Sequence, residues 1–334
     1  MTSKRPRVYV TRGLPGDALE RLAAAVEVVA WEGIDPPASQ ELARQATLSD
    51  GLITLLTDRI DRDLLAAAAE LRVVSNVATG YDNIDVAAAT ARGIAVTNTP
   101  GVLEETTADL AFGLLLAVAR RVAEGDRLVR AGGWTSWSPT LLLGAEVNGA
   151  TLGIIGLGAT GLAMARRARG FDMRVVYHSR TSKPDVEREL GIESMALDEL
   201  LRISDFVSLH APLSEETREM IGERELALMK RSAYLVNTAR GGLVDQEALV
   251  RALEDDEIAG AGLDVFEVEP LPAADRLTKL DNVVLTPHIG SASLITRSRM
   301  ASMAVDNCLA ALEGRKPSNC VNPEVFERAA VGAR

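Results

Sequence analysis

Residues Val147–Gly161, VNGATLGIIGLGATG, constrain this chain more than any other stretch. An apolar run, Thr151–Ile155, leads directly into Gly156, Gly158 and Gly161 in GxGxxG spacing, and the helix-forming LAMARRARG follows. A strand entering a tight glycine turn that opens a helix makes a phosphate cradle. The first glycine permits the turn, the second lets backbone approach a pyrophosphate, and the third lets helix pack on strand. In a chain with 27 glycines the spacing alone arises by chance, so the strand before and the helix after carry the argument. Gly156, Leu157, Gly158, Ala159, Thr160 and Gly161 are the expected dinucleotide-phosphate site.

The flanking sequence has the periodicity such a fold needs. Strands are predicted at Arg7–Thr11, Val26–Ala30, Gly51–Leu56, Leu71–Val77 and Ile94–Thr97, with helices at Asp17–Ala25, Ser39–Gln45, Arg62–Glu70 and Val86–Arg92 between them. This alternation predicts βαβ units and a parallel sheet. Thr99-Pro100-Gly101 punctuates like a domain crossing, and one long helical region, Glu104–Ala131, follows. Six further strands, Thr151–Ile155, Arg174–Tyr177, Asp205–His210, Ala233–Asn237, Ala261–Val265 and Val283–Thr286, fit a doubly wound dinucleotide fold. The last helical stretch, Leu294–Glu313, has no periodicity that assigns it to either unit. A length of 334 residues favours two domains, each able to bury its own core.

Composition mostly excludes. A net charge of −11 argues against nucleic acid or an anionic membrane as partner, while leaving room for a locally positive pocket. Cys308 and Cys320 lack metal-ligand spacing and suit free thiols in a reducing cytosol, so no metal is expected. The opening MTSKRPRVYV has positive charge but no apolar signal core, and the ten-residue run Leu110–Ala119 is too short to span a bilayer. The expected setting is soluble and cytoplasmic.

Three residue types at strand ends could carry chemistry. Of the histidines, His178 ends a strand near the expected ribose region and reads as a turn residue. His210 precedes Ala211-Pro212 at another strand end, close to a cofactor but with no relay beside it. His288, in VVLTPHIGSAS, follows an apolar strand, and ligands bind at the carboxyl ends of strands in open α/β sheets. Arg240, in AYLVNTARGG, also follows an apolar strand, and its two glycines would allow a ligand close approach. An isolated arginine at a turn is ordinarily a solvated surface group; here its paired donors would match a carboxylate. Asp264, Glu267 and Glu269 crowd one further strand end in LDVFEVEP, and composition does not choose among them.

The blocks SNVATGYDNIDVAAATARGIAVTNTP, LGIIGLGATG, SDFVSLHAPL, VNTARGGLVDQEALVRAL, AGAGLDVFEVEP and NVVLTPHIGSAS, in this order, span nearly the whole chain. In them the chain resembles the D-isomer-specific 2-hydroxyacid dehydrogenases, and within that family the glyoxylate/hydroxypyruvate reductases. The resemblance implies a catalytic set of Arg240, Glu269 and His288, choosing the acid that composition left open. It implies that Arg240 clamps a 2-oxoacid carboxylate, His288 donates a proton as hydride arrives at carbon, and Glu269 orients and charges the imidazole. It also implies two Rossmann-like domains. One is a discontinuous flavodoxin-like substrate domain (residues 1–99 and 289–334); the other is a doubly wound parallel-sheet dinucleotide domain (100–288). A homodimer built on about 101–150 is implied as well. Substrate contacts would come from Leu56, the Ala78-Thr79-Gly80 loop and Trp137, with Trp134 second to it. Besides the glycine turn, the cofactor would meet Thr106, His210, Ala211, Pro212, Thr217, Thr238, Ala239, Asp264 and Gly290, with Asp264 on the nicotinamide carboxamide.

The cofactor can be narrowed. NAD-binding turns expect an acid about 20 residues beyond the glycines, at the end of the second strand, to accept from the ribose 2′-OH. Here Ser179 stands eighteen residues after Gly161, followed by Arg180 and Thr181. A carboxylate would repel a 2′-phosphate, whereas a hydroxyl and a guanidinium would bind one. NADP(H) is therefore the expected cofactor, with NAD(H) as the alternative. The segment GGWTSWSP, Gly132–Pro139, matches hydroxypyruvate reductases, in which a tryptophan limits substrate bulk in the partner's site; a buried interface tryptophan is the plainer reading. Competing branches fit less well. A phosphite dehydrogenase would carry a lysine where Thr79 stands, a formate dehydrogenase would lack Glu269, and a phosphoglycerate dehydrogenase would add a regulatory domain. A dinucleotide-sensing corepressor, from a different functional class, would retain the triad but add long flanking extensions.

Overall fold

A computed structural model describes residues 5–327. The chain divides into two compact units, residues 1–103 with 292–334 and residues 104–291.

In the first unit the chain runs β1 (Arg7–Val10), α1 (Ala18–Ala25), β2 (Glu27–Ala30), α2 (Ser39–Thr47), β3 (Gly51–Thr54), α3 (Arg62–Ala67), β4 (Val73–Asn76), α4 (Val86–Ala91) and β5 (Ala95–Thr97). Among the described residues these strands form one parallel sheet in the order β2-β1-β3-β4-β5, the flavodoxin-like order. β3 and β4 are buried along their whole length, which is why they show no apolar/polar alternation. Asp61 and Asp85 cap α3 and α4 by accepting from Leu64 N–H and Ala88 N–H.

The second unit opens with α5 (Glu104–Ala119) and α6 (Val122–Arg130). It continues with β6 (Thr151–Ile155), α7 (Ala159–Ala168), β7 (Arg174–His178), α8 (Pro184–Leu190), β8 (Glu193–Ser194) and α9 (Leu197–Ile203). Then come β9 (Phe206–Leu209), α10 (Glu223–Leu228), β10 (Tyr234–Asn237), α11 (Gln246–Glu254), β11 (Gly260–Leu263) and β12 (Val283–Leu285). Its parallel sheet has the order β12-β11-β10-β9-β6-β7-β8, the Rossmann order extended by a strand at one edge. The glycine turn after β6 and the chain leaving β9 thus meet where the winding direction reverses. At that switch point open α/β sheets bind their ligands.

The closing helix α12 (Leu294–Leu312) belongs to the first unit. Its Ala301, Ala304, Val305 and Cys308 are buried against Val8, Val10 and Val73. Hydrogen bonds add to that packing: Ser75 Oγ donates to Ala304 O at 2.8 Å, and Asn307 Nδ2 donates to Asn98 O at 3.1 Å.

Two expectations need correction. The helical region 104–131 is not one helix: it breaks between α5 and α6, where Arg121 turns left-handed at φ 52°. The break is tertiary in origin. Ala145 N–H takes the Ala119 carbonyl, and Gly144 packs so close that a Cβ there would lie 2.3 Å from it. The dinucleotide sheet also has a further strand, β8, only two exposed residues long. Most other strands shift or shorten by a residue or two at their ends, while β6 keeps its expected bounds and β7 gains His178.

Candidate active site

The glycine turn divides its work as the sequence predicts. Gly156 sits at φ +94°, and a Cβ on it would meet Ala211 N at 2.6 Å. A Cβ on Gly161 would lie 2.2 Å from Gly156 O, so only glycine lets α7 seat on β6. Around Gly158 there is open space, so here backbone faces outward with nothing of the protein in the way. Gly158 caps α7, and Ala159 and Thr160 open that helix, presenting N–H groups in the arrangement that receives phosphate. At the end of β10, Thr238 Oγ1 is buried without a hydrogen-bond partner among the described residues. Such an orphaned hydroxyl at a strand's carboxyl end needs an external partner. The open cradle and this hydroxyl both fit a dinucleotide.

Other cofactor candidates ring the same strand ends. His210 follows β9; its Nε2 lies 2.9 Å from Ser208 Oγ, and burial pushes the imidazole down to about 4, so the ring stays neutral. Ala211 is buried beside Gly156, and Pro212 is exposed. Thr217 Oγ1 donates to Pro212 O at 2.7 Å and accepts from Ser214 N–H, so it shapes its own turn. Ser179 is half-buried beyond β7, whereas Arg180 and Thr181 are exposed. Thr106 lies in the first turn of α5, half-buried. His178 closes β7 with its ring against Met195 O at 3.1 Å, a structural contact.

The three catalytic candidates come from three strand ends. His288 lies beyond β12 with φ 53°, a left-handed conformation that histidine tolerates better than most residues but that still costs strain. Its Nδ1 is 2.7 Å from Glu269 Oε2, and Phe266 N–H donates to Glu269 Oε1 at 3.0 Å. Both carboxylate oxygens are therefore fixed, one by backbone and one by the imidazole. Burial acts to raise the Glu269 carboxyl. The hydrogen bond and charge of His288, the Phe266 N–H and the Arg240 guanidinium outweigh it and hold the group below the ordinary glutamate value.

Arg240 reaches this pair through its glycines, though not as expected from sequence. A Cβ on Gly241 would lie 1.9 Å from Phe266 C, so that glycine admits another backbone segment, not a ligand. The contact seats the Arg240 turn against the loop that carries Glu269. Asn237 locks the turn from inside: its Nδ2 donates to Arg240 O at 2.9 Å and its Oδ1 accepts from Ala239 N–H at 3.0 Å.

The His288 loop has an organiser that its sequence role did not disclose. Asp264, 1% exposed, accepts from Thr286 Oγ1 (2.6 Å), Ile289 N–H (2.8 Å) and Gly290 N–H (2.8 Å). A carboxylate offers about four acceptor sites, so one direction remains for a ligand amide. The Gly290 N–H, a cofactor candidate by resemblance, is thus already engaged.

In the first unit, the turn after β4 carries Ala78, Thr79 and Gly80. Its three carbonyls accept from Thr99 N–H (2.9 Å), Asn98 Nδ2 (2.7 Å) and Asn76 Nδ2 (3.0 Å). None of its N–H groups finds a partner among the described residues. With all three carbonyls taken, the N–H groups are the polar atoms this turn has left to offer a ligand. Sequence reasoning missed the asparagines behind it. Asn76 and Asn83 carry the polar partners, and the GYDNID block held that signal without stating its use. Leu56 is half-buried in the turn after β3. Trp134 and Trp137 are 55% and 76% exposed on the stretch after α6, away from any packed core.

No helix among the described residues is long and apolar enough to cross a membrane, and no group of His, Cys, Asp and Glu among them could hold a metal ion.

Comparison with known proteins gives a consistent result. Residues 112–290 match the family described as D-isomer specific 2-hydroxyacid dehydrogenase, NAD binding domain. The chain is 54% identical over 324 residues to a glyoxylate reductase of Korarchaeum cryptofilum, covering 97% of this chain and 98% of that one. A crystal structure of a Thermus thermophilus protein superposes with TM-score 0.89 at 51% identity, covering 94% of this chain and 99% of its own. An NADPH-dependent glyoxylate/hydroxypyruvate reductase of Sinorhizobium meliloti, in complex with NADP and malonate, gives TM-score 0.83 at 35% identity, covering 97% and 98%. Matches of this length, on a fold and strand-end set of this kind, place the chain plainly: it belongs to the D-isomer-specific 2-hydroxyacid dehydrogenases, enzymes that oxidise or form a CH–OH group.

Proposed function

We propose that the protein is an NADPH-preferring reductase of small 2-oxoacids, glyoxylate and hydroxypyruvate among them. The observation that carries this reading is the Glu269–His288 pair, held at 2.7 Å on a loop that Asp264 immobilises. The relatives' activity on glyoxylate and the NADP bound by one of them support the substrate and cofactor assignments.

The chain's own residues divide the reaction as follows. A nicotinamide cofactor held at the glycine turn would supply the hydride for the carbonyl carbon. Arg240 forms paired hydrogen bonds to the substrate carboxylate, fixing that carbon for attack; such orientation removes several kcal/mol of the barrier. The resemblance assigns further substrate contacts to Leu56, Ala78, Thr79 and Gly80 of the first unit. The Nε2 of His288 as imidazolium gives its proton to the oxygen, which becomes the hydroxyl. Glu269, bonded at Nδ1, keeps the tautomer and favours the charged ring. In oxidation the neutral imidazole takes the proton back. Ser179 and Arg180, standing where an acid would exclude it, receive a 2′-phosphate.

The remaining parts of the reading rest on sequence position and exposure. Val122, Val129, Trp134, Trp137, Leu141 and Leu143 are all exposed within one segment, more apolar surface than a solvated arm requires. We assign this segment to a homodimer, with Trp137 reaching the partner's site, and the protein to the cytoplasm. Residues before 100 and after 288 form the substrate domain and those between them bind the cofactor.

NADPH consumption at 340 nm on adding glyoxylate tests the activity, with Arg240→Ala as control. A matrix of NADH and NADPH against glyoxylate, hydroxypyruvate, pyruvate and, in reverse, phosphite tests the narrower assignment. A higher kcat/KM with NADH, or preference for pyruvate or phosphite, would overturn it.

A further inference from the structure

Lys183 lies in none of the sequence signals for cofactor binding, yet it touches the glycine turn. Its Nζ donates to Leu157 O at 2.5 Å, the carbonyl between the first two glycines. Behind it the chain is held firmly. Lys183 N–H donates to Tyr177 Oη at 2.9 Å; that hydroxyl donates to Glu187 Oε1 at 2.6 Å; and Ser182 Oγ donates to the same oxygen at 3.0 Å. Tyr177 is itself fully buried, so the Ser182-Lys183 corner is anchored to the core.

The charge of Lys183 is not neutralised by the protein. Among the described residues it makes no ion pair with a carboxylate, and its only side-chain acceptor is a neutral carbonyl. The nearby acids are engaged elsewhere. Glu187 accepts from Tyr177 and Ser182, Asp185 pairs with Arg188, and Glu216 is held by Ser214 and by the Arg180 charge. An ammonium at this place is also of the wrong sign for the fold, because the N-terminus of α7 already carries partial positive charge. Positive charge gathered at a helix N-terminus with no protein anion is an arrangement completed by an anionic ligand.

The position selects which anion. Pyrophosphate meets the turn at the open face of Gly158 and the first N–H groups of α7. Lys183 instead bridges from the loop after β7, where the adenosine ribose hydroxyls are read, to the strand side of the turn. A ribose read by that loop would lie beside this span. We propose that Lys183 is a principal cation for the 2′-phosphate of NADPH, and that Ser179 and Arg180 assist it from the exposed side. This rests on the reading that the chain takes the phosphorylated cofactor, and it names the residue that discriminates.

Calorimetric titration with two cofactor fragments tests it without turnover. Adenosine 2′,5′-bisphosphate carries the 2′-phosphate and 5′-AMP does not. Wild-type protein is expected to bind the bisphosphate more tightly than 5′-AMP. Lys183→Met should weaken bisphosphate binding by about tenfold or more, as loss of a charge-assisted contact implies, and leave 5′-AMP within about twofold. Lys183→Arg should retain most of the difference, and added salt should narrow it in wild type more than in Lys183→Met. If Lys183→Met weakens both fragments equally, the lysine only braces the turn and the proposal fails. If that variant keeps the wild-type preference for the bisphosphate, the proposal fails while the NADPH reading stands. If wild type itself shows no preference, both fall.

Discussion

Asn76 and Asn83 meet side chain to side chain, Nδ2 of the first donating to Oδ1 of the second at 3.1 Å, and between them they join two turns at the carboxyl edge of the first sheet. Asn83 Nδ2 donates to Leu55 O and Asp58 O at 3.1 and 2.9 Å, in the turn that carries Leu56. Asn76 Nδ2 donates to Gly80 O, in the turn after β4, and its Oδ1 accepts from Thr54 Oγ1 at 3.0 Å. The turn carrying Leu56 and the turn carrying Gly80 are thus braced by one pair of amides. Asn83→Ala would leave two partly buried carbonyls without their donor, and the expected loss is about 1–3 kcal/mol in urea unfolding. The KM for glyoxylate should rise more than kcat falls. Unchanged stability and KM would show the brace to be dispensable.

Asp264→Asn replaces one of the accepting oxygens by a donor that faces a backbone N–H. The repulsion frees the 286–290 loop and with it the left-handed backbone of His288. Steady-state kinetics should show kcat falling at least about tenfold, since small misplacements of a reacting group are costly. Retention of full kcat would mean that Thr286 and the packing of Gly290 suffice.

The glycines offer a paired experiment. Gly158→Ala adds a methyl in open space at an ordinary φ of −75°, so melting temperature should match or exceed wild type. Its affinity for NADPH should drop by an order of magnitude or more, because the methyl would fill space the proposed phosphate cradle keeps open. Gly161→Ala forces a methyl against the Gly156 carbonyl and should lower stability first. Should Gly158→Ala bind NADPH as wild type does, the cradle is misassigned.

Glu269 sets a pH dependence of known sign. Its carboxyl is held below the ordinary value, so the stabilisation from its pairing with His288 is present at neutral pH and fades as pH falls through that lowered value. Glu269→Gln removes the charge that favours the imidazolium. The alkaline limb of kcat/KM for reduction should then move to lower pH. A limb that stays in place would argue that Glu269 only orients the ring.

His210 works in the opposite sense. Its imidazole titrates near 4 in the folded chain against an ordinary 6.5, so between these values the unfolded chain binds a proton that the folded chain refuses. Stability contributed by the neutral ring therefore falls as pH drops through that window. His210→Asn should lose less melting temperature between pH 7 and pH 5 than wild type does. Equal losses would place the acid sensitivity elsewhere.

What the sequence discloses follows from how local the cause is. The glycine turn was legible because strand, turn and helix are consecutive in one βα unit, although the contact that demands Gly156 is made by the distant Ala211. The buried strands were legible because burial on both faces leaves an apolar run. Arg240 and His288 stand out at the ends of such runs. Glu269 does not: what distinguishes it from Glu267 is a hydrogen bond to a residue nineteen positions later, and only the family resemblance pointed to it. The break at Arg121 is set by Ala145 reaching back to Ala119, which no helix-stop residue announces. Lys183 and Asp264 share that difficulty, since their partners lie 26 and 22–26 residues away.

The clamp that Asp264 places on residues 286–290 has a thermodynamic consequence. Fixing a residue's backbone costs about 1–2 kcal/mol in conformational entropy, wherever in the cycle the fixing occurs. Here the loop bearing His288 is ordered by the protein's own carboxylate when the chain folds. That entropic loss is met once per molecule, at folding, and substrate arriving at each turnover need not organise the imidazole at the expense of its own affinity.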